Sequence, residues 1–93
     1  MTYQYRFRTA KEALIAAVWQ KGRILVGHNA ATHRQDICRA WMQYDQHGKE
    51  GQYGWEIDHI NPTANGGGDE LSNLQPLWWT NNRRKSDTYP WSC

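Results

Sequence analysis

The sequence predicts a small α+β protein in which a single domain spans residues 1–93. A helix-capping motif followed by apolar residues at helical spacing lies near the start of the chain. Two apolar runs joined by a glycine-rich loop lie in its second half. A chain of 93 residues is also too short for two domains that each bury a core. We therefore expect an N-terminal helix and, in the second half of the chain, a strand, a further apolar run and a short helix.

The first predicted helix covers residues 10–20. Thr9 and Glu12 form a capping box, in which Thr9 is the N-cap and Glu12 reaches back to its amide. Apolar residues then recur at helical spacing, and Gly22 is the expected stop. In residues 1–8 aromatic and polar side chains alternate, which predicts a short edge strand or an ordered arm.

The later elements follow from apolar runs and turn residues. Residues 37–44 fit both helical and strand spacing, and we favour a strand. Residues 45–52 contain two glycines and predict a surface loop. The remaining predictions, in chain order, are a strand over 53–60, an irregular loop over 61–68, a second apolar run over 71–79 and a short basic helix over 81–87.

Charge and cysteine content exclude several classes of protein. A net charge of +2 excludes a polybasic arm, but it is compatible with an enzyme that has a local basic patch. Cys38 and Cys93 form no CxxC pair, which argues against a structural zinc site and a disulfide framework. We expect Cys38 in the core and Cys93 as a free thiol, which favours a reducing, cytoplasmic location. We expect no membrane span, because no apolar run approaches about 18 residues.

Residues 53–87 contain the chemically informative pattern. It consists of Asp58-His59-Ile60-x-Pro62, a Gly66-Gly67 turn, Asn73-Leu74-Gln75-x-Leu77, and Asn82 followed by Arg84-Lys85. Asn73 follows His59 by 14 positions, and Asn82 follows Asn73 by 9. In residue types and spacing the segment resembles the HNH endonuclease family, whose site is a hairpin followed by a helix, the ββα-metal fold. The resemblance implies this fold for the C-terminal part and leaves residues 1–50 as an N-terminal helical extension.

The resemblance implies roles for four polar residues. Asp58 and Asn82 would ligate one divalent cation, and His59 would be the general base that activates water. Hydrolysis of a phosphodiester needs such a base and a cation that takes the developing charge. Imidazole can be neutral at cellular pH, as a base must be. By the same resemblance Asn73 is not a ligand; its amide ties the 61–70 loop to itself and holds the His59 ring in place.

The strand geometry adds one condition and one candidate. Neighbouring strand residues point to opposite faces, so Asp58 and His59 can share a site only if the strand kinks at its end, before Asn61-Pro62. Glu56 lies on the same strand face as Asp58 and is a candidate for orienting a ligand.

Basic residues near the pattern are candidates for phosphate contacts. We expect Arg83, Arg84 and Lys85 to hold DNA phosphates, a contact that is blind to sequence, although a solvated helix face explains the same run. Three cations farther away either extend the DNA path or form a solvated helix end: Lys11, Lys21 and Arg23.

The chain departs from the family at two points. The family often has His where this chain has Asn82, an H-N-N variant that also occurs in the nicking domain of CRISPR effector nucleases. Its oxygen ligands favour Mg²⁺ or Mn²⁺. Many small members also have two CxxC pairs that bind zinc, and here 53–55 and 78–81 are largely aromatic. We expect packing by Trp41, Trp55 and Trp78 to replace that zinc.

Other residues are expected to be structural. Trp19 is expected in the core together with Trp41 and Trp55, rather than as a base-stacking platform. The three histidines outside the pattern are expected in loops or on the surface: His28, His33 and His47.

The expected function is therefore metal-dependent hydrolysis of phosphodiester bonds in double-stranded DNA, by nicking. Two alternatives stay open. One is a DNA-binding module of the same fold that cuts poorly or not at all. The other is a toxin nuclease, which needs a delivery domain or an immunity partner.

Overall fold

The computed structural model describes residues 9–93, and within them the predicted α+β architecture is confirmed. In chain order the elements are helix α1 (Ala10–Trp19), strands β1 (Arg23–Ile24), β2 (His33–Gln35) and β3 (Trp41–Gln43), hairpin strands β4 (Trp55–His59) and β5 (Leu74–Trp78), and helix α2 (Trp79–Lys85). The edge strand or arm predicted for residues 1–8 lies outside the described residues.

Helix α1 forms where the capping motif predicts it. The Glu12 amide donates to Thr9 Oγ1 at 3.0 Å, so the N-cap is as expected. The helix ends at Trp19, whose carbonyl accepts from the Gly22 amide at 2.9 Å. Its last turn is buried at Val18 and Trp19 and anchors the helix in the core.

Strands β1, β2 and β3 form an antiparallel sheet in that order. β3 confirms the strand favoured within residues 37–44, and it begins after a tight turn over 36–40 in which Arg39 has a φ of 68°. Met42 at the centre of β3 is buried, and strand alternation turns Trp41 to the other face, where 37% of it is exposed. The prediction of Trp41 as a core residue is therefore wrong.

The hairpin pairs β4 with β5 antiparallel, with Trp55 opposite Trp78 at one end and His59 opposite Leu74 at the other. Both predicted apolar runs thus form strands, and residues 60–73 form the irregular loop between them. α2 follows β5 directly and packs on both hairpin strands.

The core lies between α1, β3 and the hairpin, and consists of Val18, Trp19, Met42, Trp55 and Leu74. The rings of Trp19 and Trp55 lie 5.2 Å apart, and both indole N–H groups donate to backbone carbonyls. The burial of Trp55 agrees with the expected aromatic packing, whereas Trp78 is only half-buried.

A disulfide joins Cys38 to Cys93, with their Cα atoms 5.6 Å apart. The prediction that both cysteines are free is therefore wrong, and the prediction of a reducing compartment loses the argument on which it rested. Fifty-five positions separate the two residues, a spacing that gives no pairing signal in sequence. Within residues 9–93, no helix is long and apolar enough to cross a membrane.

A buried carboxylate, Asp36, joins the two halves of the molecule. Its Oδ1 accepts from the amides of Cys38 and Ala40 at 2.9 and 2.8 Å. Its Oδ2 accepts from the Trp78 amide and from Asn81 Nδ2, both at 3.0 Å. The side chain thus fixes the 36–40 turn against the start of α2.

Candidate active site

An open cleft of about 330 Å³ lies between the end of β4, the loop that follows it and α2. Asp58, His59 and Asn82 all line it. The sequence pattern therefore brings its proposed base and both proposed ligands to one surface, although Asp58 and His59 are neighbours on a strand. The loop backbone after His59 explains how this is possible.

Asn73 fixes that loop backbone. Its Nδ2 donates to the carbonyls of Asn61 and Gly68 at 3.0 and 2.8 Å, and its Oδ1 accepts from the Asn61 amide at 2.9 Å. Its own carbonyl accepts from the Ile60 amide at 2.8 Å. These contacts tie together both ends of the loop, as expected of Asn73, and fix the chain directly after His59.

The glycines of this loop have separate reasons to be glycine. Gly66 has a φ of 88°, in the left-handed region where a side chain is strained. A Cβ on Gly67 would lie 1.8 Å from the Asn61 carbonyl oxygen, so the close approach excludes any side chain. The Gly66-Gly67 turn thus allows the loop to close over Asn73.

His59 is partly exposed in the cleft, and its Nε2 lies 2.8 Å from Asp69 Oδ1. A carboxylate only accepts hydrogen bonds, so Nε2 is the protonated nitrogen and donates. In the neutral ring Nδ1 is then the nitrogen able to accept a proton. Asp69 was not predicted; the only sequence signal for it is a polar residue beside the glycine-rich turn.

Asp58 is almost completely buried, with 6% exposed, at the floor of the cleft. Its Oδ2 accepts from Gln75 Nε2 at 2.9 Å, and its Oδ1 lies 3.2 Å from Lys85 Nζ. The same Nζ donates to the His59 carbonyl at 2.9 Å, and Lys85 is only 2% exposed. The structure therefore contradicts the predicted phosphate contact of Lys85, because its position on α2 faces β4 rather than solvent.

On α2, Asn82 donates from Nδ2 to Glu56 Oε1 at 2.6 Å. Arg83 Nη1 donates to the same oxygen at 2.5 Å, and its Nη2 donates to Glu50 at 2.8 Å. Burial alone would raise the pKa of Glu56. The hydrogen bonds from Arg83 and Asn82 act in the opposite direction and outweigh burial, so the pKa is lowered overall. Glu56 is therefore an anion that holds the Asn82 amide in one orientation.

Comparison with protein families decides what this segment is. Residues 45–88 match the family model described as HNH endonuclease. This match confirms the resemblance of the segment to the HNH family. A search of curated proteins and a search of solved structures each gave no match. The family indicates a nuclease or DNA-binding function, and HNH endonucleases generally use a divalent metal ion.

Lys21, which lies outside the HNH segment and just after the end of α1, contacts the HNH loop. Lys21 Nζ donates to the carbonyls of Leu71, at 2.7 Å, and Leu74, on either side of Asn73. Lys21 therefore stabilises the end of the HNH loop and is not simply a solvated cation. Lys11 and Arg23 are exposed.

The donor set of the HNH segment fits a hard divalent cation. No group of three or more His, Cys, Asp or Glu side chains within residues 9–93 is arranged to hold a metal. A closed structural zinc site is therefore absent from that part of the chain. Asp58 and Asn82, which carry a carboxylate and an amide, line the same open cleft, and oxygen donors of this kind are compatible with a hard divalent cation.

Proposed function

We propose that the protein is a metal-dependent endonuclease that hydrolyses phosphodiester bonds in double-stranded DNA and cuts one strand. The observation that supports this proposal is the convergence of Asp58, His59 and Asn82 on one cleft of the HNH segment. A DNA backbone needs an open surface, and the cleft is open along the hairpin end.

His59 acts as the general base. Its Nε2–H donates to Asp69 Oδ1, so Nδ1 takes the proton from a water molecule as that water attacks phosphorus. The bond from phosphorus to the 3′ oxygen breaks, and the leaving 3′ oxygen takes a proton from solvent water. Asn73 serves this step indirectly, because it fixes the backbone at residues 60 and 61. By resemblance to the family, the products are a 3′-hydroxyl and a 5′-phosphate.

Asp58 and Asn82 are the residues that would hold Mg²⁺ or Mn²⁺. A cation there supplies positive charge for the oxygens on which negative charge develops. Glu56 accepts a hydrogen bond from Asn82 Nδ2, so Asn82 Oδ1 would be the atom that contacts the cation. Gln75 and Lys85 hold the Asp58 carboxylate in a fixed position.

Two arginines of α2 would contact the substrate in different ways. Arg84 is exposed and makes no side-chain hydrogen bond or ion pair within residues 9–93, so it can contact phosphate directly. Arg83 lines the cleft but is held by Glu50 and Glu56, and it contacts phosphate only by exchanging one of them.

One observation favours the alternative of a DNA-binding module that does not cut. Lys85 Nζ lies 3.2 Å from Asp58 Oδ1, and its charge offsets the carboxylate that should ligand the metal. If that pair excludes the cation, the protein binds DNA through its arginines without hydrolysis.

A supercoiled-plasmid assay separates these functions. With Mg²⁺ or Mn²⁺ the wild type should produce nicked circles, and EDTA should stop the reaction. His59→Ala should cut at least about 10²-fold more slowly, the effect typical of a general base, while it still binds duplex DNA. Asp45→Asn, at an exposed acid outside the cleft, is the control and should cut normally. Binding without cutting in every metal would support the non-catalytic module.

Replacement of Asn82 tests the ligand set. Asn82→His introduces the commoner family residue, and its softer nitrogen should shift the preferred metal from Mg²⁺ toward Ni²⁺, Co²⁺ or Zn²⁺. Asn82→Ala should weaken metal affinity and cutting together. The same metal preference in both variants as in the wild type would show that Asn82 does not touch the cation.

A further inference from the structure

A second concave site, which we call the aromatic pocket, lies at the opposite end of the hairpin from the cleft. Its volume is about 400 Å³, within the range of ligand sites. The residues that line it are Arg39, Ala40, Trp41, Gln52, Tyr53 and Trp78. Tyr53 precedes β4 and Trp78 ends β5, whereas Asp58 and His59 lie at the other end of β4. The five residues of β4 span about 16 Å.

The rings of the pocket form a rigid and partly exposed platform. Trp41 is 37% exposed, and the edge-to-face ring of His28 supports it at 4.9 Å. His33 lies 6.0 Å from the Tyr53 ring, also edge-to-face. The backbone of Trp78 is fixed as well, because its amide donates a hydrogen bond to the buried Asp36. Exposed aromatic surface held in this way typically marks a binding site.

The lining of the pocket contains one cation, Arg39, and no acidic residue. The Arg39 side chain is exposed and makes no hydrogen bond or ion pair within residues 9–93. An occupant that complements this lining has a flat aromatic body and a negative charge beside it.

We infer that the aromatic pocket binds one unpaired nucleobase of the nucleic acid cut in the cleft. The choice of nucleic acid as occupant rests on the proposed function. The base stacks on Trp41 or Tyr53, and Arg39 contacts the adjoining phosphate. A base paired inside a duplex cannot enter such a pocket. The preferred substrate therefore has an unpaired nucleotide a few positions from the cut.

The test compares oligonucleotides that differ in one base. The probes are a 12-nucleotide single strand, the same strand with one abasic site moved along it, and the matching duplex, all in EDTA so that none is cut. Binding is followed by quenching of tryptophan fluorescence. The wild type should bind the intact single strand about 10-fold more tightly than the strand with the abasic site at the best position.

Variants assign this difference to the pocket. Trp41→Ala and Tyr53→Ala should lose the preference for the intact strand, and thermal melts check that both fold. Arg39→Gln should keep the preference and reduce the salt dependence of binding by about one phosphate contact. Tyr89→Leu removes a half-exposed ring outside the pocket and should behave as the wild type.

Each outcome decides one question. Equal affinity of the wild type for intact and abasic strands overturns the inference and leaves the pocket to a protein partner. A preference that survives in both folded ring variants overturns it as well. A wild type that cuts no plasmid refutes the proposed nuclease but not the pocket, which is judged by the abasic comparison alone.

Discussion

Asp36 and Asp58 are both buried acids, with 1% and 6% exposed, but their surroundings differ. Asp36 accepts four hydrogen bonds, three from backbone amides and one from Asn81. Asp58 has one amide donor and one ammonium group, and it lines an open cleft. The first carboxylate lies inside the joint between the two halves of the chain, and the second lies at a surface.

The number of unused acceptor positions separates the two acids. A carboxylate offers about four acceptor positions. Asp36 uses that number for groups of its own chain, so it has no capacity for a ligand. Asp58 uses about half of its positions, and it lines the cleft. Burial of an acid therefore does not by itself indicate a site, and the number of unused acceptor positions is what distinguishes these two acids.

The largest predicted effect is on the stability of Asp36 variants. Asp36→Ala leaves four donors without a partner at the joint. The hydrogen bond from Asn81 is buried and the other three are part-buried, so water can replace some of them. At about 1–3 kcal/mol for each buried unsatisfied group, we expect a loss of several kcal/mol from a typical total stability of about 5–15 kcal/mol. Denaturant titration should show this loss as the largest fall in the free energy of unfolding among the variants.

Asp58→Asn should show the opposite behaviour. It keeps the shape of the side chain but leaves the ammonium group of the buried Lys85 without a carboxylate partner, so the melt should stay cooperative at a lower melting temperature. If Asp58 is a metal ligand, the variant should also lose plasmid cutting. The two variants are compared in the same melts and the same plasmid assay. An active, stable Asp36→Ala protein, or an Asp58→Asn protein with normal cutting, would break the distinction between the two acids.

This contrast also shows what the sequence can predict. α1 follows from local spacing in the sequence. The hairpin and the grouping of Asp58, His59 and Asn82 were predicted from the resemblance of residues 53–87 to the HNH family. Asp36 could not be predicted, because its partners Trp78 and Asn81 lie 42 and 45 positions away. Nothing in residues 35–37 distinguishes it from a surface acid.

The predicted phosphate contact of Lys85 and the predicted free thiol of Cys93 are wrong for a related reason. A basic run on a short polar helix indicates a solvated face, and only the packing of α2 on β4 shows that Lys85 points inward. Cys93 was read as free because a single pair of distant cysteines has no spacing rule. In both cases the deciding contact is between residues far apart in the chain.

The second largest predicted effect is on stability and comes from the disulfide, which crosslinks the chain close to Asp36. Cys38 lies two positions from Asp36, and its bond to Cys93 closes a loop of 55 residues that contains the HNH segment. The loop-closure model gives about 4 kcal/mol of stabilisation for a loop of this size.

Cys93→Ser should therefore lower the free energy of unfolding by up to about 4 kcal/mol, as measured by denaturant titration under oxidising conditions. Wild type measured with a reductant should fall to the same value, and the variant should not respond to the reductant. Identical stability of wild type and variant would show that the disulfide adds nothing to the joint.

Removal of metal by a chelator tests the role of Asp58. If Asp58 serves catalysis and the joint at Asp36 provides stability, then EDTA should stop cutting and leave the melting temperature nearly unchanged. A site with two protein ligands binds its cation weakly, so mass action adds little stability. Collapse of the melt in EDTA, or one tightly held zinc per chain in elemental analysis, would contradict this, because a structural metal contributes folding energy directly.

The smallest predicted effect is a change in the pH dependence of stability, and it comes from His47 rather than from Asp36 or Asp58. Its ring packs 4.8 Å from the buried Trp55. Burial lowers its pKa below the ordinary value of 6.5, the charge of Lys11 lowers it further, and Glu56 opposes the shift. The unfolded chain therefore binds a proton at this position at a higher pH than the folded chain does.

Stability contributed by His47 is complete above about pH 6.5 and is lost as the pH falls through the lower pKa of the folded state. Denaturant titrations of wild type between pH 8 and pH 5 should show the free energy of unfolding decreasing toward acid. His47→Gln, which does not titrate, should flatten this slope, whereas His28→Gln, at an exposed ring, should not. If the His47 variant keeps the full slope, the acid sensitivity in this range belongs to another group.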